Sequence, residues 1–182
     1  IGFLAGNELR HTVRMAKLAE GLGFSSCWIA EDYFYGGVFS TATACAMETE
    51  SIHIGIGVIN PYTRHPALTA MELAALDAVS EGRTTLGLGS SNGRWIEEQM
   101  GIPFRKPMTA MKEAAEIIYD LLRGEEVLYN GTYFQTGKIK LEFQPFRPNV
   151  PIYMGVKGPK ALQMAGRVAD GVLTSIMTSE AY

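Results

Sequence analysis

The sequence predicts a parallel α/β fold, and three observations carry that prediction. Short β-rich runs alternate with amphipathic helical stretches along nearly the whole chain, Gly or Pro punctuates the connections, and Ile52 to Ile59 is an almost continuous apolar run. A strand hydrophobic on successive residues is one buried on both faces, as parallel strands covered by helices are.

The elements follow in order. Ile1-Gly2-Phe3-Leu4 reads as a strand already under way, which places the natural start upstream. Met15, Leu18, Ala19 and Leu22 recur at helical spacing and predict a sheet-facing stripe, which Gly21 and Gly23 bring to an end. Ser26 to Ile29 is the second strand, followed by the loop 31–37 and a helix over about Phe39 to Glu48. After the third strand comes Asn60-Pro61-Tyr62-Thr63-Arg64-His65-Pro66, whose second proline suits the first turn of a helix packing Leu68, Met71, Ala75 and Val79. Thr84 to Gly89 is the fourth strand. A long loop past Trp95 then leads to a helix with Met108, Met111, Ala115, Ile118 and Leu122 on one stripe, stopped at Gly124.

Residues 125–148 break the rhythm. Val127 to Tyr129 and Thr132 to Phe134 flank Asn130-Gly131, a pattern that predicts a β-hairpin with a two-residue turn inserted into the main fold. Pro151 to Val156 is the fifth strand. A helix from Pro159 burying Leu162, Ala165 and Ala169 leads to the sixth strand, Asp170 to Thr174. Six such units fit either an open doubly wound sheet or part of an eight-stranded barrel, and a closed barrel takes ~250 residues. Residues 1–182 are therefore read as one domain, partial if the fold is a barrel.

Composition excludes several function classes. Sixteen Lys+Arg stand against nineteen Asp+Glu with no run of like charge, so no footprint for nucleic acid or an anionic membrane surface exists. No apolar run approaches the ~20 residues of a spanning helix. Cys27 and Cys45 form no Cys-x-x-Cys pair and sit in apolar contexts, which predicts core residues and no metal site.

In either architecture chemistry sits at the carboxyl ends of the strands. Glu31 and Asp32 follow strand two with aromatic residues behind them, so a carboxylate there suits general acid or base work; helix capping is the plainer role for Asp32. Gly55 and Gly57 inside strand three mark a bulge, a ligand approach or tight helix packing. His65 reads as a surface or capping residue, and His11 and His53 as structural. Gly87, Gly89 and Gly93 are spaced one residue too long for the dinucleotide fingerprint, which leaves a small polar loop, Ser90 to Arg94, suited to a flat ring or a phosphate. Gly155-Val156-Lys157-Gly158-Pro159-Lys160 combines a helix start with two lysines and suits an anion, although an ordinary Gly-Pro helix start reads equally well. Asn130-Gly131-Thr132 is read as turn chemistry rather than a glycosylation acceptor.

Taken in order, Gly23-Phe24, Trp28-Ile29-Ala30-Glu31-Asp32, Gly57 to Pro66, Leu86-Gly87-Leu88-Gly89-Ser90 and Gly155 to Gly171 resemble the bacterial-luciferase-like superfamily. Within it they are most similar to the branch using the deazaflavin coenzyme F420, such as methylenetetrahydromethanopterin reductases. The resemblance implies a TIM (β/α)8-type barrel of which about six βα units are present. It also implies a third-strand bulge near Gly57-Val58, often with a non-prolyl cis peptide, behind the cofactor ring. Asn60, Ser90, Asn92, Arg94, Gly155, Lys157 and Gly158 then fall in the cofactor-binding segments, with Asp32 and Glu31 as catalytic candidates. Two departures stand out: Glu31-Asp32 replaces the Asp-His pair of several deazaflavin enzymes, and Asn92 stands where some have Glu. The proton-transfer scheme of the sugar-phosphate dehydrogenases is therefore not carried over.

The expectation is an F420-dependent oxidoreductase passing a hydride between the deazaflavin and a carbonyl- or iminium-type carbon of a small-molecule substrate. An FMN-dependent monooxygenase on the same fold and a non-catalytic flavin-binding relative, its barrel completed by another chain, are the alternatives, with an unrelated barrel lyase or isomerase behind them. A cytoplasmic location and association into a homo-oligomer through exposed sheet edges accompany this reading.

Overall fold

The computed structural model describes residues 1–3 and 8–174. Six strands, β1 (Gly2–Phe3), β2 (Ser26–Ile29), β3 (His53–Ile59), β4 (Thr84–Gly89), β7 (Ile152–Gly155) and β8 (Gly171–Leu173), form one parallel sheet in the order β1-β2-β3-β4-β7-β8. The connecting helices are α1 (Leu9–Gly21), α2 (Val38–Met47), α3 (Pro66–Val79), α4 (Pro107–Leu122) and α5 (Pro159–Val168). Strands neighbouring in sequence neighbour in space throughout, the order of a barrel wall and not of a doubly wound sheet, so the architecture is six units of a TIM-type barrel. Leu4, assigned to the first strand, lies outside the described residues.

The core is the layer between sheet and helices. Ile29, Ile54, Ile56, Ile59, Leu86 and Leu88 from the strands meet Leu73, Leu76, Ile117 and Ile118 from the helices, all at most 1% exposed. Each such side chain contributes roughly 1.5–3 kcal/mol by leaving water. Cys27 and Cys45 are buried there as free thiols.

Several helices turn a different face inward from the one their large apolar residues mark. In α1 the buried residues are Thr12, Ala16 and Ala19, while Leu18 and Leu22 are 52% and 67% exposed. In α3 the expected stripe is outside: Leu68, Met71 and Val79 are exposed, and Thr69, Ala70, Leu73, Ala74, Leu76 and Asp77 face the sheet. That helix is apolar on both sides, so spacing does not choose between them. A tertiary partner chooses: Asp77, fully buried, accepts from Arg147 Nε at 3.0 Å. Leu162 of α5 is likewise exposed, whereas Ala165 is buried as expected. Helix α4 keeps Met111, Ala115, Ile118 and Leu122 inside, with Met108 partly exposed.

The hairpin pairs β5 (Val127–Asn130) with β6 (Gln135–Ile139), so Asn130-Gly131 is not a two-residue turn and Thr132 to Phe134 are not strand. The longer turn closes with Gly131 N–H on the Phe134 carbonyl at 2.8 Å. A buried carboxylate sets it: Glu113 of α4 accepts the N–H groups of Thr132, Tyr133 and Phe134 at 2.7–2.8 Å. A turn of π-helix, Arg94–Gln99, occupies the loop after β4, where the sequence shows no helical pattern.

Candidate functional site

At the carboxyl ends of β2, β3, β4 and β7 lie two adjoining cavities of about 560 and about 550 Å³, with Val58 lining both. Strand β3 makes this possible. Its register with β4 shifts between Ile56 and Ile59, and the Gly57–Val58 peptide is cis. The expected bulge is thus where the sequence places it. Its glycines serve close approach to side chains, not to a helix: a Cβ on Gly55 would overlap the Trp28 ring, and one on Gly57 would sit 2.9 Å from it. Around the bulge, a Cβ on Gly89 or Gly155 would come within 2.6 or 3.0 Å of the Val58 methyls, so Val58 packs against bare backbone of β4 and β7.

The first cavity has a wall of Trp28, Met108, Met111 and Leu173, a floor at Gly57–Val58, and a polar rim of Ser90, Gly155 and Lys157. A largely apolar cavity of this size with Lys157 among its lining suits a flat heterocycle carrying an anionic tail. Helix α5 begins beside Lys157, with Gly158 as its N-cap at φ +83° and Pro159 in its first turn.

The second cavity is lined by Glu31, Asp32, Tyr33, Asn60, Asn92 and Trp95. Asn60 is buried, and its amide is fully used: Nδ2 donates to Tyr33 Oη at 2.8 Å and Thr63 Oγ1 at 2.9 Å, while Oδ1 accepts from Tyr62 and Thr63 N–H. Tyr33 in turn donates to Ser91 Oγ at 2.8 Å, tying the loops after β2, β3 and β4 together. Tyr33, Phe34 and Trp95 rings cluster at 5.6–6.4 Å between centroids. Phe34 and Ser91 both hold positive φ, +70° and +59°, a conformation side-chain-bearing residues adopt only when their surroundings impose it.

Glu31 is 13% exposed at its side chain. Its Oε1 accepts from Arg64 Nη1 at 3.1 Å, and its Oε2, buried, has no hydrogen-bond partner among the described residues. Burial raises its pKa, against the pull of Arg64. Asp32 lines the same cavity and does not cap α2, whose N-cap is Gly37.

The predicted site residues therefore divide. Gly57, Val58, Ser90, Gly155 and Lys157 meet at the first cavity, and Glu31, Asp32, Val58, Asn60 and Asn92 at the second. Arg94 lines neither; it is exposed, its guanidinium 5.8 Å from the Trp95 ring. Gly158 also lines neither. Asn92, just before the π-helical turn whose N-cap is Gly93, accepts from Trp95 N–H at 3.2 Å. His65 is the N-cap of α3, its Nδ1 accepting from Ala67 N–H at 3.2 Å. Sequence reasoning missed Trp28, Met108, Met111 and Leu173 as cavity wall; Trp28 alone carries a signal, three residues before Glu31 on the strand that ends at the site. Among the described residues no cluster of His, Cys, Asp and Glu gathers as a metal site, and no helix is long and apolar enough to cross a membrane.

A parallel wall of six strands with a bulged third strand between two cavities at its carboxyl ends defines a TIM-type barrel fold. The chain belongs to the luciferase-like monooxygenase family, whose model matches residues 3–182. It is 42% identical to a 5,10-methylenetetrahydromethanopterin reductase of Methanolobus tindarius, over 95% of this chain and 52% of that protein. It is 32% identical to an F420-dependent glucose-6-phosphate dehydrogenase of Nakamurella multipartita, over 88% of this chain and 50% of that one. Its fold superposes on the coenzyme F420 dependent tetrahydromethanopterin reductase of Methanopyrus kandleri with a TM-score of 0.89 at 34% identity, covering 96% of this chain and 54% of the other. The chain spans about half the length of the relatives it matches.

Proposed function

We propose that the complete protein is an F420-dependent oxidoreductase that moves a hydride between the deazaflavin ring and a carbonyl- or iminium-type carbon of a small molecule. The observation that carries this is the pair of cavities joined at Val58: a slot for the ring on one side of the bulge and a carboxylate-lined space for substrate on the other. The residues fit the cofactor. Trp28, Met108 and Met111 would hold the ring against Gly57–Val58, and Lys157 with the start of α5 would meet its anionic tail, while Ser90 sits at the rim. When bound, the deazaflavin supplies the hydride. This chain's residues orient the ring, exclude water from its face and keep Glu31 and Asp32 at the substrate side.

Likeness to methylenetetrahydromethanopterin reductases at 42% identity favours a methylene-bearing pterin as substrate over a sugar phosphate. The exposed apolar stripe of Leu68, Met71 and Val79 supports association of copies.

The test is anaerobic turnover of reduced F420 by the complete protein, followed by the return of the oxidised deazaflavin's visible absorbance. Methylenetetrahydromethanopterin, glucose 6-phosphate and no substrate are compared. Oxidation with the pterin alone supports the reading. In a parallel aerobic assay, incorporation of oxygen into an organic substrate with reduced FMN, without F420 turnover, would replace it with the monooxygenase; binding of either cofactor without turnover would make the chain a non-catalytic relative.

A further inference from the structure

Arg64 stands between two carboxylates. Its Nη1 lies 3.1 Å from Glu31 Oε1, its Nε lies 2.9 Å from Glu72 Oε2 on α3, and its guanidinium is 5.0 Å from the buried Phe39 ring. Glu31 borders the second cavity, while Glu72 sits outside it and is partly exposed. One cation is thus divided between a carboxylate at the site and one away from it, and each carboxylate has a buried oxygen, Glu31 Oε2 and Glu72 Oε2, that makes no hydrogen bond among the described residues.

We propose that Glu31 is the catalytic residue exchanging a proton with the substrate heteroatom, and that Glu72, by sharing Arg64, is a positioning residue that sets how readily Glu31 holds that proton. This rests on the reading of the second cavity as the substrate side. In the reducing direction the Glu31 O–H bond breaks and its proton joins the substrate nitrogen or oxygen. That atom takes the electron pair of its bond to the reacting carbon, which gains the hydride furnished by reduced deazaflavin. Solvent then returns a proton to the carboxylate. Asp32, its neighbour in the loop, makes no ion pair among the described residues, whereas Glu31 pairs with Arg64.

The physics of the triad points one way. Burial disfavours the charged form of Glu31, Arg64 favours it, and the negative charge of Glu72 opposes Arg64. The other titratable groups beside Glu31 among the described residues are Asp32, Tyr33 and Tyr35 of its own loop, which carry no positive charge. Replacing Glu72 by Gln removes one anion and leaves Arg64 to Glu31 alone, so Glu31 ionises at lower pH.

Two readouts test this in the complete protein. The titration of the Glu31 side chain, followed by carbon-13 NMR of labelled glutamate and assigned by its loss in Glu31→Gln, needs no cofactor. The pH dependence of kcat for F420-linked reduction is the second. Glu72→Gln is expected to move both the titration and the alkaline limb of kcat to lower pH by the same interval. Glu31→Gln is expected to lower kcat about 10²-fold or more, the size of a lost general acid, with F420 affinity unchanged. Glu31→Asp, which keeps a proton donor one methylene further back, recovers part of that loss. If Glu72→Gln moves neither readout, or Glu31→Gln keeps its kcat, the proposal is wrong. Failure to bind F420 at all would instead overturn the proposed function, and the Glu31 titration would still decide the role of Glu72.

Discussion

The two ends of the strands solve opposite problems. At the amino ends, polar groups are matched against one another. Arg83 donates to the carbonyls of Ala46, Thr49, Ile52 and Ser80 at 2.8–2.9 Å and to the Thr49 hydroxyl at 3.1 Å. Glu20 collects the N–H groups of Glu50, Ser51 and Ile52, Arg147 grips buried Asp77, and Asp170 accepts from Tyr119 and Ile152 N–H. At the carboxyl ends stand the two cavities that meet at Val58 and a carboxylate with one oxygen unpartnered among the described residues. The carboxylates show the contrast. Glu20 is pulled from its usual 4.5 down to about 2 by its backbone donors, whereas burial raises Glu31. One end is built for stability, and the other leaves polar capacity for a ligand.

The largest effect is expected at the amino end. Asp77→Ala strands Arg147 and should cost about 3–5 kcal/mol, a large part of a domain's stability, read as a fall in denaturant midpoint. Glu113→Ala should cost about 2–3 kcal/mol by orphaning three turn amides, with hydrogen exchange accelerated first at Thr132, Tyr133 and Phe134. Gly57→Ala reverses the emphasis. It pushes on the Trp28 ring, should cost about 1–3 kcal/mol by overpacking, and should reduce cofactor affinity more than whichever of the Asp77 and Glu113 variants still folds.

The pH dependence sharpens the comparison. Because the unfolded chain protonates Glu20 first, its contribution to stability is present above pH 4.5 and is lost as pH falls toward 2; Glu20→Gln should flatten acid unfolding in that window. Glu31 has the opposite sign. Its raised pKa means that its contribution is complete below the ordinary glutamate value and lost as pH rises through the folded one, so Glu31→Gln should lessen destabilisation on that side. The smallest effect belongs to the outside of α3, where Leu68→Ser should change monomer stability by less than about 0.5 kcal/mol.

The βα alternation made the architecture legible because each strand and helix follows from local spacing, and the glycines of β3 marked the bulge without any partner being known. What was illegible came from partners distant in sequence. The inward face of α3 depends on Arg147, seventy residues away, and the hairpin turn on Glu113 of α4. At the site, the strand-end loops were readable one by one, but their division between two cavities was not. Asn60 and Asn92 look like ligand-binding amides in sequence, and folding spends Asn60 on the protein's own backbone and side chains, whereas Asn92 gives one oxygen to Trp95 N–H and lines the second cavity. The sharing of Arg64 between Glu31 and Glu72 links two segments that no single motif contains.

In the proposed reading the cofactor enters at the carboxyl ends, between the bulge of β3 and Lys157. Its most direct test is a fluorescence titration of the complete protein with F420, comparing Lys157→Glu with Lys140→Glu, an exposed lysine beyond the hairpin. Lys157→Glu is expected to weaken binding at least about tenfold, the loss of one charge-assisted contact, while Lys140→Glu binds like the unmodified protein. Equal affinities for both variants and the unmodified protein would contradict it.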